Sequence, residues 1–262
     1  MRLRTHRSEV MDGTVPDISA GDQLMIHRVL RTGTAPLDDL LGGFRAGEVT
    51  FFEADCDYAN TLLHMLCVQA IDQFGEEVVW IDGGNTVNPY AIASMCKRLR
   101  IDARDALSRI NISRAFTAYQ MVSLIEEHLP EQIRACAPST VIISSITSLF
   151  TDKDMDWAES RQLLRRCADE VSEATRGNET VTLLTAFLPK RGERQGRRMC
   201  SVLRERADEV VEMRGRGSGT LFSLPMRGRS MTFSPSPWNQ SLLEDFGRGG
   251  RGEDRSHIQI GP

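Results

Sequence analysis

Val49-Thr50-Phe51-Phe52-Glu53-Ala54-Asp55-Cys56-Asp57-Tyr58-Ala59-Asn60-Thr61 runs directly into Leu62-Leu63-His64-Met65-Leu66-Cys67-Val68-Gln69-Ala70-Ile71-Asp72-Gln73-Phe74, and the joint between the two halves decides the fold. The first four residues are β-branched or aromatic, the composition of a buried strand. From Thr61 onward apolar residues fall at 63, 66, 67, 70, 71 and 74, the spacing of one helix face. A strand that enters a helix through so short a joint opens a βαβ unit.

The same alternation continues outward. Residues 78–81 (Val-Val-Trp-Ile) are strand-like, and a helix opened by Pro89 carries Ile92, Cys96 and Leu99 on one side, proline being favourable in a first turn. Residues 110–112 lead into a helical stretch over 121–136, then a strand over 140–143. A helix with Leu163, Leu164, Cys167, Ala168 and Val171 on one face precedes a buried strand over 180–187. This predicts an α/β domain with a mostly parallel sheet and helices on both faces. After residue 207 three short strand candidates, 209–213, 220–224 and 230–233, are separated by Gly-Arg turns and read as an antiparallel extension. Residues 1–31 read as a tail or short cap, 32–245 as the domain, and 246–262, with Arg248 and Arg251, as a polar tail expected to be disordered.

The 262 residues suffice for one α/β domain with a full core, and 40% apolar against 26% charged content is that of a soluble globular protein. No run approaches the roughly 18 apolar residues of a membrane span. A cytoplasmic protein without membrane partners is expected. The six cysteines lack CxxC spacing and the five histidines are scattered, so no metal site or redox pair is legible. Charge is uneven. Residues 190–229 hold eleven basic and five acidic residues, a local +6 that leaves −10 for the rest of a chain with net charge −4. Such asymmetry suggests a polyanion-facing region on an acidic body.

The order of motifs closely resembles the RecA-fold recombinases, the archaeal RadA branch above all. Thr32-Gly33-Thr34-Ala35-Pro36-Leu37-Asp38-Asp39-Leu40-Leu41-Gly42-Gly43, then Gly47 and Thr50, resembles that family's lead-in to its phosphate loop. Ile81-Asp82 with Asn88-Pro89 resembles its second-strand segment, Ser113-Arg114-Ala115-Phe116 its sequence after the third strand, and residues 142–150 its metal-binding strand. The resemblance covers about residues 32–245 and implies a RecA-like P-loop NTPase core.

The positions that such a core uses for catalysis are altered. A phosphate loop needs glycines whose backbone N–H groups wrap phosphate, a lysine for the β/γ charge and a hydroxyl for Mg²⁺. The corresponding loop is Ala54-Asp55-Cys56-Asp57-Tyr58-Ala59-Asn60-Thr61, with Ala54, Asp57 and Ala59 at the glycine positions, Asn60 at the lysine and only Thr61 retained. A carboxylate such as Asp55 at 4 Å from a phosphate charge costs about 4 kcal/mol at an effective dielectric near 20, a large part of an ordinary micromolar affinity. The resemblance also places Ser144 at the metal-strand aspartate and Gly84 at the catalytic glutamate. Neither supplies the charge required. No ATPase activity, nucleotide cofactor or metal is expected.

In the resembled family two loops face DNA. The first counterpart, residues 151–157, is acidic. The second is basic and glycine-rich, and Lys190, Arg191, Arg194, Arg197 and Arg198 suit phosphate recognition because guanidinium groups fork onto backbone oxygens. Arg214, Arg216, Arg227 and Arg229, at expected hairpin ends, are further candidates. Few aromatic residues lie among them, so electrostatic, sequence-tolerant binding is expected rather than base stacking. The resemblance thus implies a non-catalytic RadA-like paralogue, an accessory factor in recombination and repair that binds DNA and acts beside a competent RadA-type recombinase. Two alternatives stay open: a protein-interaction module of KaiC-like or recombinase-regulator type that does not bind DNA, and a residual DNA-dependent ATPase.

Overall fold

A central sheet of eight strands carries the molecule, and its registers follow the alternation of apolar side chains along each strand. The computed structural model describes residues 28–152, 155–188 and 194–234. In chain order the elements are β1 (Val29–Leu30), α1 (Ala35–Leu41), β2 (Phe44–Arg45), β3 (Val49–Ala54), α2 (Tyr58–Phe74), β4 (Val78–Asp82), α3 (Pro89–Leu99), α4 (Ala103–Ser108) and β5 (Ile110–Arg114). There follow α5 (Ala118–Ser123), a π turn (Leu124–His128), α6 (Leu129–Cys136), β6 (Thr140–Ser144), α7 (Trp157–Asn178), β7 (Val181–Phe187), α8 (Arg194–Arg204), β8 (Glu209–Arg216), β9 (Gly219–Leu224) and β10 (Arg229–Phe233).

The sheet order is β10-β9-β8-β3-β7-β6-β4-β5, parallel from β8 through β5 and antiparallel at β9 and β10. The expected parallel sheet with an antiparallel extension is therefore present. β1 and β2 pair as a separate small sheet, which places Val29 and Leu30, ahead of Thr32, in strand structure. Successive side chains of β3 and β4 point to opposite faces. Phe52, Ala54, Val78 and Trp80 pack with α2 and α3 in one core. Phe51, Val79 and Ile81 pack with α5, α6, α7 and α8 in a second. Coverage of both faces explains the continuous apolar runs.

Local chemistry sets the helix ends. Asn88 caps α3 by accepting from the N–H groups of Tyr90 and Ala91, with Pro89 in the first turn, and Asp156 caps α7 through Ala158 and Glu159. Gly75 closes α2 in the left-handed conformation. The expected helix over 121–136 is longer, beginning at Ala118, and passes through the π turn without a break. Four cysteines are buried and Cys56 and Cys136 are half-buried, all six as free thiols. No described helix is long and apolar enough to cross a membrane. Residues 1–27 and 235–262, including Arg248 and Arg251, lie outside the described residues.

Candidate functional site

Ligands of open parallel sheets sit at the carboxyl ends of the strands, where connections leave in opposite directions. Here that edge gathers the joint after β3, the turn after β4, the segment after β6 and the start of α8.

The joint after β3 is three residues long, Asp55–Asp57, because α2 begins at Tyr58. The N–H of Ala59 donates to the carbonyl of Cys56 (3.4 Å) and that of Asn60 to Asp57 (3.1 Å), while the Asp55 N–H donates to Met213 in β8 (3.0 Å). The Asp55 carboxylate accepts from the Gly215 N–H at 2.7 Å. These backbone donors are thus committed within the protein. Ala54 and Ala59 are buried, Asp55 and Asp57 exposed, and Thr61 half-buried. The Asn60 Oδ1 atom is out of contact with solvent and has no partner among the described residues.

Behind the joint lies a polar circuit. The Ser144 hydroxyl accepts from Trp80 Nε1 (3.0 Å), lies 2.9 Å from the Thr86 hydroxyl and donates to Asp82 Oδ1 (3.0 Å). The Ser144 proton is thus committed to Asp82 and one lone pair to Trp80, while the other faces the Thr86 hydroxyl, whose single proton is shared between Ser144 and Asp82 Oδ1 (3.0 Å). Asp82 is fully buried. Burial raises its pKa, but N–H groups of Thr86, Val87 and Gly84 and the Ser144 hydroxyl outweigh it and hold the carboxyl below its usual range. Arg114 approaches the same carboxylate at 3.5 Å. At Gly84 an added Cβ would stand 2.4 Å from the Ser145 hydroxyl oxygen. Ser145 itself holds a left-handed backbone, φ 55°, so the two residues fit as a pair.

His64 was not singled out by sequence reasoning. It joins α2 to the turn after β4: Nε2 accepts from the Asn88 N–H at 2.9 Å and Nδ1 lies 2.6 Å from the Asn60 carbonyl. One ring nitrogen must accept, so the imidazole is neutral with its proton on Nδ1. Burial, against the opposing Asn60 bond, lowers its pKa accordingly. Its ring packs on Trp80 at 5.1 Å between centroids.

The basic residues divide. Lys190 and Arg191 lie outside the described residues. The segment expected to be a loop is helical from Arg194, because Met199, Cys200, Val202 and Leu203 supply a buried face that holds α8 on the second core. Arg197 and Arg198 are exposed on it. The Arg198 guanidinium stands 5.7 Å above the Trp157 ring, joining the exits of the two loop regions and placing one aromatic residue beside the cations, which the composition did not suggest.

The hairpin arginines divide as well. Arg214 binds Glu53 and Glu212, Arg227 pairs with Glu209 (2.5 Å), and Arg229 donates to the Asp39 carbonyl (2.8 Å), so all three tie the fold together. Arg216 alone of the four is exposed without such a contact among the described residues. Glu53 is the hub that sequence reading missed. It is buried at the end of β3 and accepts from Arg204 (2.5 Å) and Arg214 (3.2 Å), while Arg204 also binds Glu212. The signal was present: one carboxylate in a strand buried along its whole length requires a cationic partner.

A parallel sheet with this strand order, helices on both faces and its cleft at the strand carboxyl ends is a RecA-like core. Residues 24–171, more than half of the chain, match the Rad51 family model, and the chain belongs to that family. It is 28% identical over 162 residues to meiotic recombination protein DLH1 of Candida albicans, covering 59% of this chain and 49% of that protein. It is also 28% identical over 162 residues to DNA repair protein RAD51 of Saccharomyces cerevisiae, covering 55% of this chain and 40% of that protein. The chain thus spans about half or less of the length of these relatives.

Proposed function

We propose that this protein is a Rad51-family accessory factor in DNA recombination and repair that binds DNA without hydrolysing ATP. Its similarity to a meiotic recombination protein and a DNA repair protein supports the process. The single observation that carries the non-catalytic part is the state of the cleft. Donors at Ala59 and Asn60 are committed to carbonyls, Asn60 replaces a cation, and Ser144 is a neutral hydroxyl whose proton goes to Asp82 and which accepts from Trp80. These residues do not fit a magnesium triphosphate, which needs free N–H groups, a lysine and a charged metal ligand.

Binding is assigned to the cationic start of α8, with Arg194, Arg197 and Arg198, together with Lys190 and Arg191 just before it; Arg216 is a weaker candidate. Five phosphate contacts give a slope of about −3.5 for log affinity against log salt on single strands. Replacing the five residues by alanine is expected to abolish binding of a fluorescent oligonucleotide, and undiminished affinity would refute the assignment. Titration with and without Mg²⁺-ATP tests the other half: saturation below about 1 mM contradicts it.

The internal use of Arg204, Arg214, Arg227 and Arg229 favours a second reading, a protein-interaction module acting on a competent recombinase without touching DNA. Pull-down from native extract with and without nuclease separates the two.

A further inference from the structure

Residues 97–109 hold five basic and two acidic residues, a second concentration of positive charge that lies wholly among the described residues. Lys97, Arg98, Leu99, Arg100 and Arg104 are all exposed at the corner where α3 passes into α4. The two carboxylates of the stretch are used locally. Asp102 caps α4 by accepting from the N–H groups of Arg104 (2.8 Å) and Asp105 (3.1 Å), and Asp105 pairs with Arg109 at 2.9 Å. Arg98 has a partner, whereas Lys97, Arg100 and Arg104 make no ion pair or side-chain hydrogen bond among the described residues. On α7, by contrast, Arg165, Arg166 and Arg176 each face a carboxylate. The negative end of α3 accounts for a cation in its last turn, but Arg104 stands in the first turn of α4, where a helix disfavours positive charge. Local electrostatics leaves these cations uncompensated.

The corner offers charge without an apolar anchor. Ile101, Ala103 and Leu107 pack against the core shared with α2, and of its apolar residues Leu99 alone is exposed, at 42%. Protein partners are held by aromatic and apolar side chains that become buried, whereas a nucleic-acid backbone is held by exposed cations. We infer that Lys97, Arg100 and Arg104 form a second contact surface for nucleic-acid phosphates, separate from the start of α8. The topology makes it separate. α4 ends just before Ile110, which pairs with Val78 at the amino end of β4, while Arg197 and Arg198 follow Gly196 in the cleft at the strand carboxyl ends. The two surfaces also lie on opposite faces of the sheet, with α3 and α4 over one core and α8 over the other. A short strand held at one does not reach the other.

The inference shares with the proposed function only the premise that nucleic acid is the ligand. Three phosphate contacts give a slope of about −2 for log affinity against log salt on single strands, too weak to retain a fluorescent oligonucleotide at physiological salt without α8, so resonance measurements at about 50 mM salt are required. With the full chain, the amides of Leu99, Arg100 and Arg104 are followed during titration with a short oligothymidine. Saturable shifts are expected there as well as at Arg197 and Arg198, and a rise to about 200 mM salt should weaken affinity at the corner roughly 15–20-fold. The variant Lys97→Gln, Arg100→Asn, Arg104→Gln should lose at least tenfold at the corner while shifts at α8 persist. Asparagine tolerates the left-handed backbone of Arg100, φ 60°, so the fold is kept. Absence of saturable shifts at the corner, or unchanged affinity there in the variant, overturns the inference. A glutamate-rich peptide of equal charge that binds the corner as tightly overturns the nucleic-acid assignment. The five-alanine variant of the α8 region keeps the two readings apart: corner shifts should persist in it, and their loss overturns a separate surface. In the unaltered chain, shifts at the corner alone would remove the α8 assignment and leave this one, whereas shifts at α8 alone remove this inference alone.

Discussion

Arg204→Met tests whether α8 is held in place by its ion cluster. Glu53 has only 7% of its side chain exposed and shares two guanidinium groups with Glu212. Removing one partner of a buried pair typically costs about 3–5 kcal/mol, because the remaining charge stays desolvated. Arg214 still reaches Glu53 at 3.2 Å and Arg204 is a third exposed, so about 2–3 kcal/mol is expected here. For a domain of this size that is a fall of roughly 5–10 °C in Tm. Urea unfolding gives the free energy, and hydrogen exchange gives its location, with faster exchange expected in α8 than in β3. The double variant Glu53→Met, Arg204→Met removes the stranded carboxylate while leaving the Arg214–Glu212 pair at 3.6 Å, and should recover to within about 1 kcal/mol of wild type. A single variant costing under about 1 kcal/mol, or strictly additive effects in the double, would refute the clamp.

Three further outcomes follow from the cleft. His64 titrates below its unfolded value, so the unfolded chain binds the extra proton first. Stability from this residue is present above about pH 6.5 and declines as pH falls below it, which urea midpoints at pH 5 and 7.5 should register and His64→Gln should flatten. Ser144→Ala strands the buried Trp80 N–H and should cost about 1–3 kcal/mol by chemical denaturation. Ser144→Asp sets a second carboxylate beside Asp82 and should cost more, increasingly so at high pH; a stable, Mg²⁺-binding variant would contradict the circuit. Gly84→Glu drives a Cβ against Ser145 and should lower stability by about 1–3 kcal/mol without phosphate release, with partial recovery in Gly84→Glu, Ser145→Gly.

The sheet was legible because Val49–Ala54, Val78–Asp82 and Val181–Phe187 are buried on both faces, so apolar runs alone mark them. The Asn88-Pro89 start of α3 was legible for a local reason, a cap followed by a residue without an N–H. Paired strands of two residues, β1 and β2, are too short for any period to register. α8 was obscured by Arg-Gln-Gly-Arg-Arg at its start, where composition points to a loop and only tertiary burial of Met199, Cys200, Val202 and Leu203 makes a helix. Counting cations could not separate Arg197 and Arg198, which face solvent, from Arg204, Arg214, Arg227 and Arg229, whose partners lie as much as 190 positions away. The identities at Asn60, Gly84 and Ser144 were visible, but the wiring of Ser144 to Trp80 and Thr86 and the fit of Gly84 to Ser145 exist only in three dimensions.

The contact between Gly84 and Ser145 couples two positions that are neighbours in space though distant in the chain. Any side chain at position 84 enters volume that Ser145 already fills, so enlarging the first is accommodated only by shrinking or moving the second. The two positions therefore vary together or not at all, and the turn after β4 cannot be rebuilt one residue at a time.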